Sequence, residues 1–325
     1  MRALALVFAG LLVLLALAAA GLWWWTGTPQ SLDWTLRYIA RSQPLEAEGV
    51  QGSLRSGLQV KRLQWEKDGL KIEAFDAHLA WQPLALARAT VKLDHLRAAR
   101  VRIEDRRPPQ PKVVPVSLVL PLRVEVDDVK VGQLQWIAAD NSFEAAGLQG
   151  KYSFNTVNHN LQVDNLTWSG GNYSGQGSLG AHGSLPLEAK LQGRFETVVP
   201  GSPAKLPLVF NANLNGPLAG FKAEALLETP AGVPSAATRA TVTARVTPWA
   251  DQPVPEGQAD LRQLDLKALW PQAPHTSLAG QVRVQPAGTG TWALSADLSN
   301  ESPGPWDKAQ LPIEKLNAMG EWRSG

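Results

Sequence analysis

"VPVSLVLPLRVEV", Val114 to Val126, carries a Val or Leu at every even-numbered position and Pro, Ser, Val, Pro, Arg and Glu at the odd ones. Successive side chains of a strand point to opposite faces, so the even-numbered set can form one apolar stripe. At roughly 3.3 Å per residue that stripe would reach about 40 Å, beyond the usual strand of about 5–6 residues. The spacing therefore predicts long strands with one apolar face, and the same alternation recurs along the chain. Leu185, Leu187, Ala189 and Leu191 form one stripe, and Leu206, Leu208, Phe210, Ala212 and Leu214 another. Val242, Ala244 and Val246 make a third, and Trp292, Leu294, Ala296 and Leu298 a fourth. The opposite positions carry Glu188, Lys190, Asn211, Asn213, Arg245 and Asp297. A long sheet with a single apolar face must meet something. It can fold into a sandwich, close into a barrel, or curl into a trough for an apolar ligand.

Composition agrees with a folded, mainly β body: 325 residues, 44% hydrophobic and 18% charged. With 31 Lys+Arg against 29 Asp+Glu, the net charge of +2 does not suggest nucleic acid as a partner. Residues 1–112 hold 16 basic and 10 acidic side chains, leaving 15 and 19 for the rest. The chain has no cysteine, so no disulfide framework or thiolate zinc site exists. Its five histidines are scattered without ligand spacing, and no serine sits in a GxSxG elbow. "GQGSLG" at Gly175–Gly180 matches a dinucleotide fingerprint formally, but the residues after Gly180 alternate as strand, where a dinucleotide site needs a helix. Neither an enzyme nor a cofactor is expected.

Ala3 to Trp25 contains no charge and at about 1.5 Å per helical residue would reach roughly 35 Å. Arg2 precedes it and Asp33 is the next charge, so the positive-inside tendency leaves the start in the cytoplasm and exports the body. Trp23, Trp24 and Trp25 then fall at the far membrane interface. A cleaved signal peptide is the competing reading, since Ala18–Gly21 offers small residues of the cleavage type. Next, "SLDWTLRYIARSQP" reads as a short amphipathic helix with Ser31 as N-cap, Leu32, Leu36 and Ile39 on one side, and Asp33 and Arg37 at i,i+4. Further helices are expected at Pro83–Arg88, Asp265–Trp270 and Lys308–Leu316, and proline-rich linkers at Asp105–Lys112 and Thr197–Lys205.

One phrase recurs: "LKIEAF", "VKLDHL", "VEVDDV" and "LQVDNL", with acids at Glu73, Asp94, Asp127 and Asp164, spaced 21, 33 and 37. The apolar parity changes across each acid, so each is expected to mark a strand corner where a bulge absorbs the change. Trp65, Trp81, Trp136 and Trp168 end segments, as indoles packed in a core with a bonded N–H would.

The anchor, "EGVQGSLRSGLQVKRLQW" (Glu48–Trp65), "LAWQPLALARATVKLDHLRAARVRI" (Leu79–Ile103) and the linker before "LPLRVEVDDV" resemble the TamB family, as do Val246–Val282 and Asp297–Leu316. The resemblance extends over essentially the whole chain. It implies an inner-membrane, single-pass anchor and a periplasmic body in a Gram-negative envelope, built as an elongated, curled, antiparallel-type β sheet: a taco-like groove with an apolar interior and a few short helices. It further implies conduction of phospholipid toward the outer membrane and support of outer-membrane biogenesis with a TamA-type barrel partner. The expected organisation is an anchor at 1–30, a membrane-proximal αβ segment at 31–104, a proline-rich linker or strand entry at 105–115, and a repeating groove at 116–325 that is cut short. Expected groove-lining residues are Val116, Leu118, Leu120, Leu122, Val124, Val126, Leu185, Leu187, Leu191, Leu206, Leu208, Phe210, Leu214, Trp292 and Leu294. The alternative is a scaffold for barrel assembly or autotransporter secretion acting by β-augmentation, with Pro115 and Pro121 on an edge strand.

Overall fold

The computed structural model describes residues 17, 20–108, 113–138, 142–198, 205–230, 239–269, 273–288 and 290–323. The described chain is mainly β, with short helices, and divides into two compact units. The first comprises Met1–Pro109 and Leu122–Ser153, the second Gln110–Pro121 and Phe154–Gly325. Most of the expected anchor lies outside the described residues, and among those described no helix is long and apolar enough to cross a membrane.

In the first unit, β1 (Leu45–Glu48) and β2 (Gln51–Ser53) both pair with β3 (Gly57–Lys67), which continues through β4 (Leu70–Trp81) and β5 (Thr90–Asp105) as antiparallel neighbours. β6 (Arg123–Ala138) then pairs with β5 in parallel, and β7 (Ser142–Phe154) comes next in the chain. The parallel pair departs from the antiparallel expectation. Its register offset is 33 residues, Val91 facing Val124 and Leu93 facing Val126, which is the spacing of the Asp94 and Asp127 phrases.

That pair also accounts for the alternating stretch from Val114 to Val126. A parallel neighbour must start where its partner started, so residues 106–122 return over a sixteen-residue strand, roughly 50 Å at about 3.3 Å per residue. Seventeen residues reach at most about 60 Å, enough to make that return. The expected strand over 114–126 is corrected accordingly: regular structure starts only at Arg123. Val116, Leu118, Leu120 and Leu122 lie in this connection and belong to no strand. Pro115 and Pro121 sit on no edge strand either.

The helix α1 (Pro29–Ala40) begins one turn earlier than expected, with Thr28 at the N-cap position and Pro29 opening the first turn. Ser31 is therefore not the cap. It lies inside the helix, buried, and its Oγ donates to the Thr28 carbonyl at 2.6 Å. The Asp33–Arg37 pair forms at 2.6 Å, and Leu32 is buried while Ile39 is exposed. Pro83–Arg88 is a 3-10 helix and Leu266–Leu269 a single helical turn (α2), whereas the helix expected at Lys308–Leu316 is replaced by a 3-10 turn at Trp306–Lys308 and a strand from Lys315.

The second unit is an open antiparallel meander. It runs β8 (Asn158–Trp168), β9 (Gly171–Gly180), β10 (Pro186–Val198), β11 (Lys205–Pro217), β12 (Phe221–Glu228), β13 (Arg239–Val246), β14 (Glu256–Leu264), β15 (Leu278–Gly288), β16 (Thr291–Asn300) and β17 (Lys315–Arg323). Among the described residues no pairing closes β17 onto β8. The Gly175–Gly180 motif lies inside β9 and leads to another strand.

Register shifts occur beside two of the four acids: β4–β5 slips at Asp94, and β8–β9 slips across Asp164. Glu73 marks no slip. The left-handed residue there is Asp76 (φ 47°), three positions on, and Glu73 itself is buried in an ion pair.

Candidate functional site

The registers of the second unit place strands that are far apart in sequence onto common rows. One row runs Leu161, Gly177, Ala189, Leu214, Ala223, Ala244, Gly257, Val284, Leu294 and Gly320. Two residues along each strand, the next runs Val163, Gly175, Leu191, Ala212, Ala225, Val242, Ala259, Val282, Ala296 and Ala318. A third runs Leu166, Tyr173, Gly193, Phe210, Leu227, Ala240, Leu261, Gly280, Leu298 and Leu316. The Tyr173 hydroxyl is the only polar side-chain group on the three rows. The alternate positions give the other face: Gln162, Gln176, Lys190, Asn213, Glu224, Thr243, Gln258, Arg283 and Ser295, with the exposed Met319 at its β17 end.

Nine interstrand steps at about 4.8 Å make this apolar face roughly 43 Å long. Among the described residues no second layer seals it. Of the thirty positions, Gly193, Ala240 and Leu298 are buried, while the others are half-buried or exposed. A sandwich interior would exclude water from most of them. The described helices of this unit, α2 and the Trp306–Lys308 turn, are too short to cover ten strands. Gly and Ala fill six of the ten positions in each of the first two rows, while Leu fills five of the ten in the third.

The two ends of the first strands of this face differ. At one, Trp168, Tyr173, Phe195 and Phe210 form a chain of rings with centroids 5.9 to 6.3 Å apart. At the other, the connection crosses: Leu118 N donates to the Ala181 carbonyl at 3.1 Å, and His159 Nε2 donates to the Leu118 carbonyl at 2.7 Å. Phe154 stacks on His159 at 4.4 Å, and Phe154, Ala181 and Leu185 are all buried.

Of the expected lining residues, Leu187, Leu191, Leu206, Leu208, Phe210, Leu214, Trp292 and Leu294 share this one face. Leu185 does not. It is a loop residue with a left-handed backbone (φ 52°), packed at the closed end. Val124 and Val126 lie on β6, in the first unit. Sequence reading missed Val282, Val284, Leu261 and Leu227, although "QVRVQ" and "ADLRQL" carry the same alternation. Of the four indoles expected in a core, Trp81 is half-buried and its Nε1 donates to the Leu54 carbonyl at 2.7 Å, whereas Trp136 and Trp168 are exposed.

The first unit has its own polarity. Trp65, Ile72, Ile103 and Trp136 form an apolar row, next to the polar row Gln64, Glu73, Arg102 and Gln135. Arg62 reaches Glu73 at 2.6 Å and Lys71 reaches it at 3.3 Å, which holds the carboxyl below the usual carboxylate range, the Arg62 hydrogen bond contributing most. Lys92 bridges Glu125 and Asp127 across the parallel pair at 3.4 Å each, and Asp127 chiefly raises its pKa. No group of His, Asp and Glu among the described residues could hold a metal.

No curated protein and no solved structure matches the chain. The family model for the TamB N-terminal domain matches residues 17–180, which takes in the first unit's strands, the connection and the β8–β9 hairpin. With half of its length so matched, the chain belongs to the TamB family.

Proposed function

We propose that this chain is an inner-membrane-anchored periplasmic protein whose open apolar sheet face carries phospholipid acyl chains between the inner and outer membranes, in support of outer-membrane biogenesis with a TamA-type barrel. The observation that carries this reading is the run of three uncharged rows across ten strands with no layer over them among the described residues. Each methylene left in water costs about 0.8 kcal/mol, so acyl chains cross an aqueous space only when shielded. A continuous apolar floor supplies that shield, while headgroups stay in water above it. The process is passive: no bond is made or broken, and no cofactor is required.

The test is native mass spectrometry with lipid extraction on protein expressed in a Gram-negative envelope, released in nanodiscs and compared with variants. Co-purified phospholipid in excess of the disc lipid, lost on Leu191→Asp or Val242→Asp and kept on Asn213→Asp, is the expected result. A folded protein whose lipid content ignores all three substitutions would overturn it. Leu120→Arg is no test of this face, because Leu120 lies off the sheet.

A further inference from the structure

The end of the first unit that carries the β2–β3 turn gathers three separate segments. Residues 20–26 are helical, and there Leu22, Trp23 and Trp24 are exposed, Trp24 at 72%. Arg55, in the turn, donates its backbone N–H to the Thr26 carbonyl at 2.9 Å, and its guanidinium lies 5.0 Å over the Trp23 ring. Its neighbour Leu54 donates to Ser31 Oγ at 3.3 Å and accepts the Trp81 indole N–H at 2.7 Å. Trp81 leads directly into the 3-10 helix Pro83–Arg88, in which Ala85 is buried and Leu84 and Leu86 project outward, Leu84 at 69% exposure. The same end therefore presents two apolar projections about sixty residues apart in the chain, joined through one turn.

Charge selects the partner. Arg55 and Arg88 are exposed and have no carboxylate within ion-pairing distance among the described residues. Asp94, the acid bonded beside this turn, accepts from Gln82 at 2.6 Å. Leu and Trp side chains ringed by Arg fit a lipid surface with anionic headgroups. Continuity points the same way, since the predominantly apolar run from Ala3 reaches Trp25 within this patch.

We propose that this end of the first unit is a bilayer seat: Leu84 and Leu86 enter the headgroup layer beside Trp23 and Trp24, and Arg55 and Arg88 pair with anionic headgroups. The seat rests on the membrane-anchored reading of the chain but adds a second contact, far along the sequence from the anchor. It fixes the β2–β3 and β4–β5 turns at the membrane and points strands β3–β5 away from it.

The chain has no cysteine, so single-cysteine variants label cleanly. Full-length Leu84→Cys, Leu86→Cys and, at the far end of β3, Lys67→Cys would carry an environment-sensitive fluorophore. Each is reconstituted in phosphatidylethanolamine/phosphatidylglycerol vesicles with and without nitroxide lipid. The expected result is blue-shifted emission and roughly twofold or greater nitroxide quenching at 84 and 86, with neither at 67. Flotation of the wild-type chain with vesicles reads the anchor separately. Flotation with position 84 no more quenched than position 67 overturns the seat and leaves the anchor standing, and failure to float overturns both. A blue shift at 84 without quenching assigns the patch to protein contact and also overturns the seat.

Discussion

Gly193 on β10 and Phe210 on β11 are register partners, and the Phe210 ring lies over the glycine so closely that an added Cβ would sit 2.5 Å from its Cε1. Tyr173 leans in from β9, its Cδ1 2.6 Å from the same point. The missing side chain is what lets two rings share one site on the floor of the face. Gly193→Ala should therefore displace both rings and cost about 1–3 kcal/mol, visible as a lower melting temperature together with altered near-UV dichroism. Gly320→Ala, with open space around its Cβ position, should cost far less.

Glu73 gives the first unit a pH dependence of defined sign. Its carboxyl is held low by Arg62 first and by Lys71, so the folded state binds fewer protons than the unfolded one below neutrality. The stabilisation is fully present above the unfolded carboxylate value of about 4.3 and is lost as pH falls through the lowered native value. Denaturant melts of the wild type between neutral and acid pH should show this loss. Glu73→Gln should cost about 1–3 kcal/mol at neutral pH and flatten that dependence. A variant as acid-sensitive as the wild type would remove Glu73 from the account.

Lys92 sits between Glu125 and Asp127 on the neighbouring parallel strand. Replacing it with Met removes the cation that bridges both acids. The expected result is a loss of stability at low salt that shrinks as salt is added, measured by denaturant titration at two ionic strengths.

The face was legible because it rests on parity alone: Leu206 to Leu214 and Trp292 to Leu298 alternate without interruption, and alternation fixes which side chains share a side. The 33-residue recurrence of Asp94 at Asp127 was legible too, but its meaning was not. A spacing does not say whether copies stack in parallel or succeed one another around a meander. Val114–Leu122 misled for a related reason. A drawn-out crossover alternates as a strand does, and only the partner for its N–H and carbonyl groups tells them apart; Leu118 finds Ala181 and His159, not a ladder. The 84–86 projection had no sequence signature, because two leucines in a short turn read as core until their exposure is known.

Small side chains floor much of the face, the middle row included. Ala212 and Ala225 are partners on β11 and β12, between Leu191 and Val242. Ala225→Phe adds a ring to an uncovered surface, so it should leave the melting temperature within a few degrees of wild type while raising the floor. Bound phospholipid per chain, counted by extraction, is expected to fall severalfold. Unchanged lipid with an unchanged melt would place the acyl chains elsewhere than this row.

Whether the face is open in solution can be decided by comparing two truncations in the same unit. Phe154 is 1% exposed at the closed end, against His159, and Phe154→Ala should cost about 3–5 kcal/mol, as removal of a core ring does. Leu208 is half-buried on the open face, and Leu208→Ala should cost only about 1 kcal/mol, since part of its surface is already in contact with water. A second layer packed over the rows would erase that difference, because Leu208 would then leave a cavity and approach the cost of a buried leucine, about 2–5 kcal/mol. Denaturant melts of delipidated protein, monitored by tryptophan fluorescence, measure both. Equal penalties would mean a sealed sandwich with no room for acyl chains, and a severalfold gap means a face held open by the fold itself.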